Sequence, residues 1–362
     1  MGLRETIREF MLAPAPSGYE SCMAALLKAR LEKHCDEVRI DRAGNCIGRI
    51  AGTASAPLRA MVFAHMDELG FIVRRVNPDG TIQVDRLGGI PEKALPGLEV
   101  LLRGEDGSWH PGVIGVKSHH ATPAEEKYRV DPVTSVWIDI GAQSDSDVNR
   151  INIFAGCPAV YRPTFRELEG TRVAGTSVDD RGGCACLTDI AARLAAERPR
   201  CDVYIVGTVW EEFNLRGAML AARAIRPDLA LSLDVTLAGD TRDLAERFDV
   251  RLGEGPCVQL YSFHGRGTLN GAIANEPLFR LAKKAAGECA IPLQRFSALG
   301  LLTDAAYVQL EGEGVACLEM GFPARYTHSP VEVCDLNDIE GLSRLVSAML
   351  VTLDDGYDLS RY

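Results

Sequence analysis

Three largely apolar runs, LRAMVFA at 58–64, VYIVGTV at 203–209 and LALSLDV at 229–235, set the tightest limit on what this chain can become. A strand that is apolar on both faces needs both faces covered, which favours a sheet wrapped by helices over one open to water. Amphipathic stretches supply the helices: residues 18–34, DDRGGCACLTDIAARLAAE from 179, NLRGAMLAARAI, residues 275–288 and a C-terminal stretch from 337. With further strands near 293 and 315, this alternation predicts an α/β fold with a mostly parallel central sheet and helices on both faces. From about 71 to 162 the texture changes. Short β-type runs (FIVRRV, TIQVDRL, EVLLRG, GVIGVK, VTSVWIDIG) are cut by turn sequences such as Asn77-Pro78-Asp79-Gly80 and Glu105-Asp106-Gly107. These predict an inserted small β domain, barrel or sandwich, over residues 71–162, with residues 1–70 and 163–362 forming the α/β domain. Inside the insert, residues 118–129 are polar and patternless, which predicts a mobile exposed loop.

Charge narrows the partners. Thirty-nine basic against fifty acidic residues leave a net charge of −11, a field that repels phosphate backbones and anionic lipid, so neither nucleic acid nor a membrane surface is an expected partner. No apolar stretch of about 20 residues occurs, and the polar start of the chain lacks the form of a signal peptide. Eleven cysteines without zinc-ribbon spacing read as reduced thiols, and the expected compartment is the cytoplasm.

Acids and histidines gather where strands end, the edge at which open α/β sheets bind ligands. His65 and Asp67 follow the first strand, one suited to ligation and the other to orienting it. Asp179 and Asp180 precede a Gly182-Gly183 helix start, where an N-cap would be the plainer role. Glu211 and Glu212 close the second strand, and two adjacent carboxylates there repel each other unless a cation or proton compensates. Asp234 closes the third run, and His328 lies just past the strand VACLEMG. Taken singly each has an ordinary explanation. Five segments delivering metal-capable N and O donors to one edge make a borderline-hard site, suited to zinc first and to cobalt or manganese next. For Glu211 and Glu212 to face one cavity the strand must bend, which predicts unusual backbone, a cis peptide included, at 234–235 or 210–212.

The strings AHMDELGF, SVDDRGG, TVWEEFNLRGA, LSLDVT and RYTHSPVEV resemble the five signatures of the dinuclear tetrahedral (TET) and glutamyl aminopeptidases, metallopeptidase family forty-two. PSGYE near the start and TDA at 303–305 extend the resemblance over nearly the whole chain. It implies a zinc-exopeptidase-like fold and two divalent ions per subunit. His65, Asp179 and Asp234 would hold one ion, and Asp179, Glu212 and His328 the other. Glu211 would be the catalytic base toward a water shared by the ions, and Asp67 would orient His65. The substrates would be peptides with a free N-terminus, and the insert would pair subunits into dimers that assemble as a dodecamer. Trp210, Phe213-Asn214 and Gly300-Leu301-Leu302 depart from the usual pattern of relatives, which bears on side-chain specificity. The sequence does not identify a substrate pocket: Phe263, His264, Leu301 and Leu302 are candidates. His119 and His120 in the exposed loop are candidates to reach a neighbouring subunit's site; His34 and His110 carry no assigned role.

Three other functions compete. An N-acyl amino acid deacylase or carboxypeptidase-like amidohydrolase would use the same two-metal site but must read a substrate carboxylate, for which Arg325 or Arg216 would serve. A glycosidase needs two separated carboxylates and no metal, a poor match to neighbouring glutamates. A scaffold with structural ions would favour a closed, sulfur-rich site; Cys184 and Cys186 read as core packing.

Overall fold

The computed structural model describes residues 2–264, 271–354 and 356–361. Its centre is the strand Arg59–His65, hydrogen-bonded in parallel to Asp202–Thr208 on one side and to Leu229–Leu237 on the other, with Ala316–Arg325 parallel beyond. The both-faces argument applies here residue by residue. Ala60, Val62 and Ala64 join a core with Leu187 and Leu194 of the helix Val178–Ala196, whereas Met61 and Phe63 join a second core with Ala218 and Ala222 of the helix Gly217–Ile225.

The expectation of a mostly parallel sheet holds for these four strands, and Cys257–Phe263 also pairs in parallel with Gln294–Leu299, but the two margins of the twelve-stranded sheet are antiparallel. Cys46–Ile50 and Glu37–Ile40 extend one margin antiparallel, and Glu332–Asp335, Arg172–Gly175 and Phe165–Glu167 the other. Short connections produce three of these pairings, Glu37–Ile40 with Cys46–Ile50, Phe165–Glu167 with Arg172–Gly175 and Ala316–Arg325 with Glu332–Asp335, because a strand returning through a tight turn must run antiparallel. Two reversals also restore direction. Arg172–Gly175 is antiparallel to Glu332–Asp335, itself antiparallel to Ala316–Arg325, so it runs with the central four and points its C-terminal end at the same edge. The helix Val178–Ala196 then starts at that edge, and it lies so close to the sheet that a Cβ on Gly182 would sit 2.3 Å from Phe322 Cζ.

The β-rich segment closes. Gly70–Val76, Ile82–Leu87, Trp137–Asp139, Trp109–Ile114, Glu99–Arg103 and Pro158–Tyr161 form a six-stranded antiparallel barrel, filled by Phe71, Val84, Val100, Leu102, Ile138 and Tyr161. Closure leaves no strand edge open inside the ring. Residues 118–129 hold no strand or α-helix and only the short turn of helix His119–Ala121. No helix among the described residues is long and apolar enough to cross a membrane.

Candidate metal centre

Each candidate group is delivered by the end of one element. His65 is the last residue of its strand, Glu211 and Glu212 follow Thr208, Asp234 lies in Leu229–Leu237, Asp179 opens its helix, and His328 follows Arg325. Their ligand atoms converge. His65, Asp179 and Asp234 offer atoms within 4.8 Å of one another, as do Asp179, Glu212 and His328, and also His65, Glu211 and Glu212. Asp179 belongs to the first two groups: its Oδ1 lies 2.9 Å from His65 Nε2 and its Oδ2 3.6 Å from His328 Nε2.

The two histidines are prepared in the same way. His65 Nδ1 lies 3.0 Å from the Asp67 carbonyl oxygen, and His328 Nδ1 lies 3.0 Å from the Gly89 carbonyl oxygen. A carbonyl can only accept, so both rings carry their proton on Nδ1 and present Nε2 to the centre. The Asp67 carboxylate sits 3.7 Å from His65 Nδ1 and takes other partners, the amides of Glu211 and Glu212, each at 3.0 Å, and Ser17 Oγ at 2.6 Å.

Charge is the dominant energetic fact of the site. Burial, with Glu212, Asp234 and Asp304 adding to it against the pull of His65, pushes Glu211 well above the carboxylate range. Burial and the Asp179 charge likewise lift Asp234 far up and Glu212 to about 7. Burial works against an imidazolium at His328, but Glu212 and Asp179 hold it up at about 9. Asp179 alone is lowered: burial opposes its charge, and His65 and His328 outweigh burial. Buried carboxylates packed this closely do not all ionise unless cations join them. The buried Glu212 Oε1 has no hydrogen-bond donor among the described residues. An all-N/O donor set with an orphaned carboxylate oxygen fits hard or borderline divalent ions.

The unusual backbone falls partly elsewhere than expected. The cis peptide joins Asp179 to Asp180, not 234–235 or 210–212, while Trp210 adopts a left-handed φ of 60°. Asp180 does not point to the ligand groups through a bonded contact; its Oδ1 accepts the Gly183 amide at 2.9 Å. Cys184 donates to the His65 carbonyl oxygen at 3.1 Å, Cys186 is core, and all eleven cysteines are free thiols. Arg325 is bound at Nε and one terminal nitrogen by Asp240, at 2.8 and 2.6 Å, which leaves it poorly placed to read a substrate carboxylate, whereas the exposed Arg216 stacks its guanidinium face over Phe213. His34, His110, His119, His120 and His264 join none of the metal-capable groups among the described residues. Phe263 lines an apolar hollow of about 820 Å³ with Tyr261, Ile273, Leu299 and Leu310.

Some residues of the site carried no role in the sequence reading. Glu332 accepts the amides of Asp179 (3.0 Å) and His328 (2.6 Å), tying two ligand segments together. Asp304 takes Thr208 Oγ1 at 2.9 Å beside the Glu211 segment. Gly88 and Gly89 bring the insert against Glu212 and His328, with room for no Cβ. Glu332 and Asp304 lay inside quoted strings, RYTHSPVEV and TDA; the glycine pair gave no signal.

The model of the M42 glutamyl aminopeptidases matches residues 44–345. A protein of Escherichia coli K12 described as putative aminopeptidase SgcX is 37% identical over 347 residues, covering 96% of this chain and 93% of its own. The structure of aminopeptidase APDkam598 from the archaeon Desulfurococcus kamchatkensis superposes with a TM-score of 0.91 at 34% identity, over 97% of this chain and 95% of that one. The Pyrococcus horikoshii TET1 peptidase, described as able to assemble into a tetrahedron or a large octahedral shell, superposes with a TM-score of 0.86 at 28% identity, over 97% of this chain and all of its own.

Proposed function

The chain belongs to the M42 glutamyl aminopeptidase family, and from that premise we propose that it is a metal-dependent aminopeptidase removing N-terminal residues from peptides, with Glu211 as general base. One observation carries the reading: N and O donors from five separate segments meet in two overlapping groups that share Asp179. His65, Asp179 and Asp234 would hold one divalent ion, and Asp179, Glu212 and His328 the second, with zinc the first choice and cobalt or manganese next. Bound there, such ions supply Lewis acidity toward a carbonyl and bring a water's pKa near neutrality. Glu211 takes the proton of the attacking water and returns it to the departing amine. Its raised proton affinity suits the first act, since an ordinary carboxylate takes a proton from water less readily, and the resulting carboxylic acid can still donate to the departing amine. The second ion, or a nearby carboxylate such as Asp234 or Glu212, would accept the substrate's free α-amine, which selects an N-terminus over an internal bond. Peptide substrates, and no nucleic acid or membrane, complete the reading.

The P. horikoshii relative's assembly into a tetrahedron or octahedral shell, and the dodecamer described for PhTET1-12s, support a homo-oligomer; in this reading dimers paired through the insert build a dodecamer. Val116, Tyr128 and Trp137 on that insert are 61%, 95% and 39% exposed, apolar area of the kind that subunits cover. Eleven free thiols suit a reducing, cytoplasmic setting.

A panel of aminoacyl-nitroanilides against N-acetylated amino acids, before and after chelation, tests the function. The nitroanilides are cleaved and chelation abolishes cleavage. Glu211→Gln lowers kcat by about 10²- to 10⁴-fold with the metal content unchanged; full activity in that variant with both ions bound refutes the assigned base.

A further inference from the structure

Neighbouring residues of an extended strand point to opposite sides, so Glu211 and Glu212 reach one centre only because the chain bends where Asp202–Thr208 ends. The bend passes through the left-handed Trp210, a conformation that a bulky side chain does not take without help. It also leaves three successive amides outside the sheet ladder. All three go to carboxylates: Trp210 N to Glu20 Oε1 at 3.3 Å, Glu211 N to Asp67 Oδ1 at 3.0 Å and Glu212 N to Asp67 Oδ2 at 3.0 Å.

Both carboxylates are held in turn by the N-terminal PSGYE segment. Ser17 Oγ donates to Asp67 Oδ2 at 2.6 Å, and the Gly18 amide donates to Glu20 Oε1 at 2.8 Å. The segment is fixed to the loop after the first central strand by the Pro16–Glu68 bridge and by Ala15 N to Glu68 Oε1 at 2.6 Å. Ser17 and Glu20 are only 7% and 6% exposed. The ordinary role for Glu20, capping the helix Ser21–Leu31, does not apply, since its side chain makes no cap hydrogen bond. Putting another buried carboxylate beside Asp67 is unfavourable: burial and the Asp67 charge push Glu20 up to about 7.

We propose that Glu20 and Ser17 are positioning residues, which together with Asp67 clamp the amides of Trp210, Glu211 and Glu212 and so fix the two glutamates in their different roles. Neither touches substrate. The inference rests on the aminopeptidase reading above for its kinetic consequence, though not for its structural one.

The test uses the full chain as Glu20→Ala, Glu20→Gln and Ser17→Ala. Two measurements are made: kcat and KM on an aminoacyl-nitroanilide with zinc content counted, and amide hydrogen exchange of the metal-free protein over residues 209–215. Glu20→Ala lowers kcat by about 10- to 100-fold, leaves KM and zinc content near those of the parent, and speeds exchange at 210–212. Glu20→Gln keeps a carbonyl oxygen for the Trp210 amide and recovers most of kcat. Ser17→Ala shows a smaller loss of the same kind. The proposal is overturned if Glu20→Ala keeps parental kcat and exchange, or if Glu20→Gln is as slow as Glu20→Ala at the same melting temperature. Should Glu20→Ala not fold, Glu20→Gln and Ser17→Ala decide: parental exchange in Ser17→Ala refutes the clamp. A parent chain inactive on every nitroanilide would sink the aminopeptidase reading instead, and the exchange data would still judge the clamp.

Discussion

Replacing Gly89 by Ala is a steric probe of one ion position and not the other. An added Cβ would lie 2.8 Å from His328 Nδ1 and 3.1 Å from its Cε1, where ordinary contact begins near 3.4 Å. The φ at Gly89 lies outside the left-handed region, so the backbone itself accepts alanine. The imidazole must therefore retreat by about 0.6 Å, several times the roughly 0.2 Å by which metal–ligand distances vary. The methyl also crowds the carbonyl that fixes the ring's tautomer, at 3.0 Å from Nδ1. Disturbing a ligand's supporting partner typically costs about 10- to 100-fold in metal affinity. The expected result is one tight ion per subunit, at His65, Asp179 and Asp234, and one weakened by that factor at Asp179, Glu212 and His328. Stepwise zinc titration against a chelating dye, with ions per subunit counted after dialysis, reads both. Two ions bound with parental affinities would refute the argument, because His328 would then not be a ligand or Gly89 not its support.

Chelation should lower the melting temperature, and more at about pH 8 than at about pH 5. Without ions the folded Glu212 carboxyl sits at about 7 against its ordinary 4.5. The folded state therefore keeps a proton that the unfolded chain has released; stability is full below the lower value and drains away as pH rises through the upper, by about 3 kcal/mol at 1.36 kcal/mol per pH unit. Calorimetry with and without chelator checks this, and a metal-free protein no less stable at the higher pH contradicts it. Gly287→Ala, exposed in the helix Glu276–Glu288 with nothing within 4 Å of the new Cβ, should raise stability by about 0.5–1 kcal/mol without changing kcat. Light scattering of Val116→Asp with Tyr128→Ser should show a smaller particle than the parent, and an unchanged mass would clear the insert of a role in assembly.

Much of this was legible in the residues, for physical reasons. A strand buried on both faces leaves an unmistakable apolar run, so Arg59–His65, Asp202–Thr208 and Leu229–Leu237 were found to within two residues at either end. Ligand types show because carboxylates at buried strand ends are costly without a partner. The margins were not legible: Glu37–Ile40 and Phe165–Glu167 are short and partly exposed, and nothing in their composition gives strand direction. Barrel closure depends on non-local pairing, such as Gly70–Val76 with Pro158–Tyr161, which periodicity does not encode. The cis bond at Asp179–Asp180 carries no signal in the residues, since an acid pair before Gly182-Gly183 has an ordinary explanation as a helix start.

The supports of the site tie the insert to the α/β domain. His65 finds its carbonyl acceptor within its own segment, two residues along, but His328 finds its acceptor in Gly89, at the end of the strand Ile82–Leu87 of the barrel. An α/β domain stripped of residues 71–162 would keep every candidate ligand and lose the group that selects the His328 tautomer. Its first ion position would survive and its second would not. On the proposed two-ion reading, the centre at the sheet edge is thus completed by backbone from the barrel, and movement of the barrel against the sheet would register at His328 and Glu212.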